Sequence, residues 1–211
     1  MNAVKIMIIC QAEKPYQASD GNQINGVTNQ GEKDNEGLTI RGWQRAGALA
    51  AYFTPLPDGT FMGSGVAEPA ALFASGTDYQ NREKMQHNAG GKSSRSRETL
   101  TPLSDKLDLV IHDDFETEEQ LATAVIGSKD VALICGEPQR IPSIAHHIPT
   151  LRPTPSEWPK DKNGENRFDV VWIFDWKPNH NKYHFYTAYQ CLLSGDLPGE
   201  AVSVSELLNT L

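Results

Sequence analysis

Val4-Lys5-Ile6-Met7-Ile8-Ile9-Cys10-Gln11-Ala12-Glu13-Lys14-Pro15 is the stretch from which the rest of the chain can be ordered. Ile6 to Cys10 is apolar without alternation, and the run then breaks into polar residues. A strand with one wet face would alternate, so this one reads as a parallel strand buried on both faces. In open α/β sheets ligands sit beyond the carboxyl ends of such strands, which directs attention to residues 10–15.

Working outward, the polar run Tyr16 to Gly37 reads as a long loop. Thr39 is placed to cap a helix from about Arg41 to Phe53, because Trp43, Ala46, Ala50 and Phe53 recur at spacings of three and four. Pro55 and Pro57 end it. Ala70 to Ala74 reads as a second buried strand that opens into the polar stretch Ser75 to Ser94. A helix starting near Ser93 or Ser94 carries Leu100, Leu103 and Leu107, with Pro102 expected to interrupt it. Leu109 to Ile111 reads as a short edge strand, and Thr117 to Ile126 as a helix with Thr117 opening it and Glu118 and Glu119 in its first turn. Val131 to Cys135 is the next buried strand. Pro142 suits the first turn of a helix whose inward face is Ile141, Ile144, Ala145 and Ile148. After the proline-rich loop Pro149 to Arg167, Phe168 to Trp176 and Lys182 to Tyr189 form two strands around the turn Lys177 to Asn181, an antiparallel hairpin. The tail after Gly195 is weakly patterned. Alternating buried strands and amphipathic helices predict one domain, a three-layer α/β/α sandwich with a mostly parallel central sheet and an antiparallel C-terminal hairpin.

Composition narrows the partners. A chain of 211 residues is long enough for one α/β core and short for two. The net charge of -8 argues against a nucleic-acid groove or an anionic membrane surface as the main partner. No apolar run approaches membrane-spanning length, and Met1 to Ile9 lacks the pattern of a signal peptide, so a soluble cytoplasmic protein is expected. Cys10, Cys135 and Cys191 are too few and too spread for a disulfide framework, and no two are spaced as metal ligands within a loop. His146 and His147 are adjacent on a helix and diverge, His112 with Asp113 and Asp114 reads as a strand-end turn, and His180 and His184 belong to the hairpin. Trp172, Trp176, Tyr183, Phe185 and Tyr189 read as sheet packing and Trp43 as core. No cofactor and no metal is expected.

The strand running into Cys10-Gln11-Ala12-Glu13-Lys14-Pro15 resembles the Arg-His-Ala-Glu-Lys-Pro opening of the histidine phosphatase superfamily, of the phosphoglycerate mutase-like type. Leu38-Thr39-Ile40-Arg41-Gly42-Trp43-Gln44-Arg45-Ala46 looks like the family's Leu-Thr-x-x-Gly-x-x-Gln-Ala helix start. Leu72 to Ser75 looks like its second strand, and Ser94-Arg95-Ser96-Arg97-Glu98-Thr99-Leu100 is similar to its Ser-x-Arg-x-x-Glu-Thr segment. Val131 to Ile144 resembles the strand and turn carrying its second catalytic His, and Phe168 to Trp172 the closing strand of a bacterial branch. The resemblance implies the sandwich fold, a phosphoryl-accepting His, a second His and two phosphate-binding Arg.

Three of those four functional positions hold other residues. Gln11 stands at the nucleophile and is not basic, Cys10 replaces a guanidinium by a thiol, and Pro138 matches the second His. Arg95 is the phosphate-binding position that is kept, in preference to Arg97. Phosphohistidine catalysis is therefore not expected, since losing one member of such a unit already reduces the rate about a million-fold. The expectation that follows is a pocket lined by Cys10, Gln11, Glu13, Lys14, Arg95, Glu137 and Gln139, repurposed for a small molecule, neutral or anionic. Glu13 or Glu137 would move protons in a cyclisation, isomerisation or hydrolysis, Gln11 and Gln139 would orient the substrate, and Arg95 would hold an anionic or carbonyl group. The alternative is a pseudophosphatase, a binding or regulatory module. Cys10 as nucleophile, or in a disulfide with Cys135, is the less favoured assignment, because a cysteine ending an apolar strand is usually inert.

Overall fold

A computed structural model describes residues 2–18, 20–75 and 94–197 of the chain. Most of the polar stretch Ser75 to Ser94, and the tail from residue 198, lie outside the described residues. The strands are β1 (Lys5–Cys10), β2 (Tyr16–Gln17), β3 (Gln23–Ile24), β4 (Ala71–Ala74), β5 (Ile111–His112), β6 (Val131–Gly136), β7 (Val170–Lys177) and β8 (Lys182–Tyr189). The helices are α1 (Ile40–Tyr52), α2 (Ser94–Leu107), α3 (Glu118–Ile126) and α4 (Ile141–His146).

Six strands form one mixed sheet in the order β5-β4-β6-β1-β7-β8. β1 pairs parallel to β6, and β4 parallel to both β6 and β5, whereas β7 runs antiparallel to β1 and to β8. The unbroken apolar run of β1 is explained by its place inside this sheet, with a helical layer on each side. Ile6, Ile8 and Cys10 pack with Leu121, Ala122 and Val125 of α3 and with Ile141, Ile144 and Ala145 of α4. Met7 and Ile9 face the other way, against Leu49 and Tyr52 of α1 and Leu100 and Leu103 of α2. The chain is thus α/β with a mostly parallel sheet, helices on both faces and a closing antiparallel hairpin.

Local signals place the helices. The Thr39 side chain accepts from the Gly42 N–H at 3.1 Å and caps α1, and Thr117 accepts from the Gln120 N–H at 3.1 Å to cap α3. Pro142 sits in the first turn of α4. Four expectations need correction. Pro102 does not interrupt α2, which runs through it; burial of Leu100 and Leu103 holds both halves in line despite one missing hydrogen bond. The edge strand is Ile111–His112 rather than Leu109 to Ile111, with Val110 71% exposed, because only Ile111 and His112 find partners on β4. The loop after β1 is not wholly irregular, since β2 and β3 pair as a two-stranded ribbon. Trp43 is only partly buried: it packs on the small apolar cluster of Ala12, Leu38 and Ala46, and its indole N–H donates to the Val27 carbonyl at 2.8 Å, so it also fastens that loop to α1.

Candidate functional site

The carboxyl ends of β4, β6 and β1 lie side by side. Ser75 N–H donates to the Cys135 carbonyl at 2.8 Å, and Gln11 N–H donates to the Gly136 carbonyl at 2.8 Å. Ser75, Gly136 with Glu137, and Gln11 therefore form one edge. A Cβ at Gly136 would stand 2.5 Å from Ser75 Oγ, so glycine lets the two strand ends close up. From the helical side, Thr99 of α2 accepts the Ala12 N–H at 2.9 Å and donates to the Arg95 carbonyl at 2.7 Å, which sets the first turn of α2 beside the loop after β1.

Glu13 is 6% exposed and is bound on all sides. Its carbonyl accepts from the Thr39 N–H and from the Thr39 hydroxyl, at 2.9 and 3.1 Å. Its carboxylate accepts from Arg45 Nε at 3.1 Å to both oxygens and from Nη2 at 2.9 Å. Arg41 Nε lies 3.2 Å from the same carboxylate. Arg45, 2% exposed, also donates from Nη1 to Gln190 at 3.2 Å, and from Nη1 and Nη2 to Asp196 at 3.1 and 2.7 Å. Two guanidiniums thus meet two carboxylates, with Arg45 buried between Glu13 and Asp196 and Arg41, 42% exposed, at the solvent side. Burial alone would lower the Arg45 pKa, but the hydrogen bonds it donates to Asp196 and Glu13 outweigh it and leave it raised. Burial pushes Asp196 upward in turn, and Arg45 with the Leu193 and Leu192 N–H groups more than reverses this, leaving it below its usual value of 3.8.

The other expected residues are distributed as follows. Cys10 is fully buried, and its thiol is pushed well up, first by burial and then by the neighbouring Cys135 and Glu13, so it is a protonated core residue at neutral pH. Cys135 is pushed up to about 12 by burial, opposed by the Thr99 and Ser96 hydroxyls. A Cys10–Cys135 disulfide is ruled out by alternation: Ile9 stands opposite Cys135 and Cys10 opposite Gly136, so the two sulfurs belong to opposite faces of the sheet. Gln11 is 4% exposed at the strand edge, and Lys14 is exposed. Glu137 accepts from the exposed Gln139 side chain at 2.9 Å, and Pro138 between them is buried. Arg95 lies 3.6 Å from Glu36, beyond a hydrogen bond, while its Nε and the Ser75 hydroxyl are buried without partners among the described residues.

The edge therefore gathers Gln11, Glu13, Glu137 and the α2 turn bearing Arg95. Sequence reading missed Arg45, Gln190 and Asp196. Arg45 did carry a signal, since it lies beside Ala46 and four residues before Leu49 on the buried face of α1, where a cation calls for a buried anion. Gln190 and Asp196, some 150 residues away, carried none. Among the described residues no three of His, Cys, Asp and Glu are grouped to hold a metal ion, and no helix is long and apolar enough to cross a membrane. No protein-family model matches the chain, and no curated protein matches it either.

Proposed function

We propose that this chain is a histidine-phosphatase-like protein of the phosphoglycerate mutase type that performs no phosphohistidine chemistry and binds a small anionic ligand at the carboxyl edge of its sheet. The observation that carries the reading is Arg95. Its side chain is 14% exposed, its Nε has no partner among the described residues, and the 43% exposed Glu36 carboxylate stands 3.6 Å from its Nη2. A guanidinium with an unspent N–H is placed to donate to a carboxylate or phosphate oxygen. Gln11, Cys10 and Pro138 supply neither nucleophile nor proton carrier. Acid–base conversion of the ligand by Glu13 and Glu137 finds less support, because Glu13 is held by Arg45 and Arg41, and Glu137 by Gln139. Binding thus outranks turnover.

The test is to incubate the purified protein with a generic aryl phosphate and, separately, to titrate it with inorganic phosphate while following amide shifts. The expected outcome is no hydrolysis, saturable binding, and an affinity about 10- to 100-fold weaker in Arg95→Ala, the loss of one or two charged hydrogen bonds. Hydrolysis abolished by Arg95→Ala would mean an ordinary phosphatase with another nucleophile. Phosphate shifts unchanged in Arg95→Ala would remove the anion-site reading.

A further inference from the structure

The Arg45 network joins two segments that are far apart in sequence. Glu13 comes from the loop after β1, and Asp196 from the turn after β8. That turn is closed on its own carboxylate, because Leu192 and Leu193 N–H both donate to Asp196 Oδ2, at 2.9 and 3.0 Å. Arg41 Nη2 donates to the Ser194 carbonyl at 2.6 Å while its Nε faces Glu13. A second clamp lies further along, where Leu197 N–H donates to Asp169 and its carbonyl accepts from Arg167, both at 2.8 Å. None of the sequence motifs required any of this.

We propose that the C-terminal turn, residues 191–197, is a strap that holds the loop at the carboxyl edge of β1 in place through Arg45, with Asp196 as the positioning residue. The physical reason is charge balance in a closed environment. Arg45 is buried between Glu13 and Asp196, whose side chains are 9% and 4% exposed. Arg41 is 42% exposed and its charge is met by water, so removing the Asp196 charge leaves buried Arg45 with Glu13 as its remaining carboxylate and takes the charged acceptor from its Nη1 and Nη2. A buried guanidinium whose N–H groups lose their charged acceptor is unfavourable, so Arg45 shifts toward water and its two-nitrogen hold on Glu13 weakens. Glu13 in turn carries the carbonyl that receives Thr39, so the loop and the start of α1 loosen together. The coupling is reciprocal: if a docked strap favours the docked loop, a docked loop favours the docked strap equally, so loss of the Glu13 charge also loosens the strap. Whatever binds or displaces the strap then acts on the edge without touching it. This inference holds whichever molecule the edge binds.

Amide hydrogen exchange read by NMR tests it without a ligand. In Asp196→Asn, exchange at Ala12 and Thr39, neither of which contacts Asp196, should quicken about 10-fold or more, and in Glu13→Gln exchange at Leu192 and Leu193 should quicken by a similar factor. A core variant, Ile144→Val, supplies the same measurement for a general loss of stability and should leave Ala12 and Thr39 no faster than the other slow amides. Faster exchange confined to residues 191–197 in Asp196→Asn, or an equal rise at Ala12 and Thr39 in Ile144→Val, would overturn the strap. Should Asp196→Asn fail to fold, the Glu13→Gln arm decides alone, since unchanged exchange at Leu192 and Leu193 there breaks the reciprocity.

Discussion

Cys10 and Cys191 illustrate how little a residue type says before its surroundings are known. Cys10 ends β1 at the carboxyl edge of the sheet, yet its sulfur belongs to the core shared with α3 and α4, and burial keeps it protonated. Cys135 lies on the opposite face under the same constraint. Cys191 is exposed, just past the end of β8. The native protein should therefore react with a disulfide-exchange reagent at Cys191 alone, and at all three thiols once denatured. A spectrophotometric thiol count before and after adding guanidinium measures this, and rapid native labelling of Cys10 would contradict the buried assignment.

Helix α1 shows an element fixed by its first turn. Thr39 caps it, and the same Thr39 holds the Glu13 carbonyl, so the helix start and the edge loop are one hydrogen-bonded unit. Gly42 makes that contact possible: a Cβ there would lie 2.6 Å from the Glu13 carbonyl oxygen and 3.0 Å from Leu38 Cβ. Gly47, in the same helix, is exposed with nothing within 4 Å. The same substitution should thus have opposite signs at the two sites. Gly42→Ala is expected to destabilise by about 1–3 kcal/mol, overpacking exceeding the gain in helix propensity. Gly47→Ala should stabilise by about 0.5–1 kcal/mol. Urea midpoints of both variants beside the parent check this, and a stabilising Gly42→Ala would show that the loop gives way to the helix.

Across the whole molecule, the Arg45 network ties β1, α1 and the end of β8 with charge in place of apolar contact. Its contribution depends on pH in a fixed direction. Asp196 titrates lower when folded than when unfolded, so its stabilisation is complete above its usual value of 3.8 and is lost as pH falls through the depressed folded value. Acidification below about pH 4 should therefore lower the urea midpoint, and Asp196→Asn should flatten that dependence while lowering the midpoint at neutral pH. An identical acid dependence in parent and variant would place the titrating carboxylates elsewhere.

The sequence by itself determined the elements and their order. The even apolar filling of Ile6 to Cys10 and of Val131 to Cys135 required strands covered on both faces, and Thr39, Thr117 and Pro142 marked helix starts through bonds made within a few residues. Periodicity and capping are local, so they survive reading one residue at a time. It also settled that positions 11 and 138 carry no imidazole, which residue type alone decides in any fold. The tertiary structure decided which face each cysteine sulfur takes, that packing carries α2 through Pro102, and that Glu13 is held by Arg45 with Asp196 closing the ring. Those outcomes depend on strand register, on helix burial and on the meeting of residues 13, 45 and 196. Long-range pairing of buried charges leaves no periodic trace in a chain, because each partner is selected by the place to which the fold brings it.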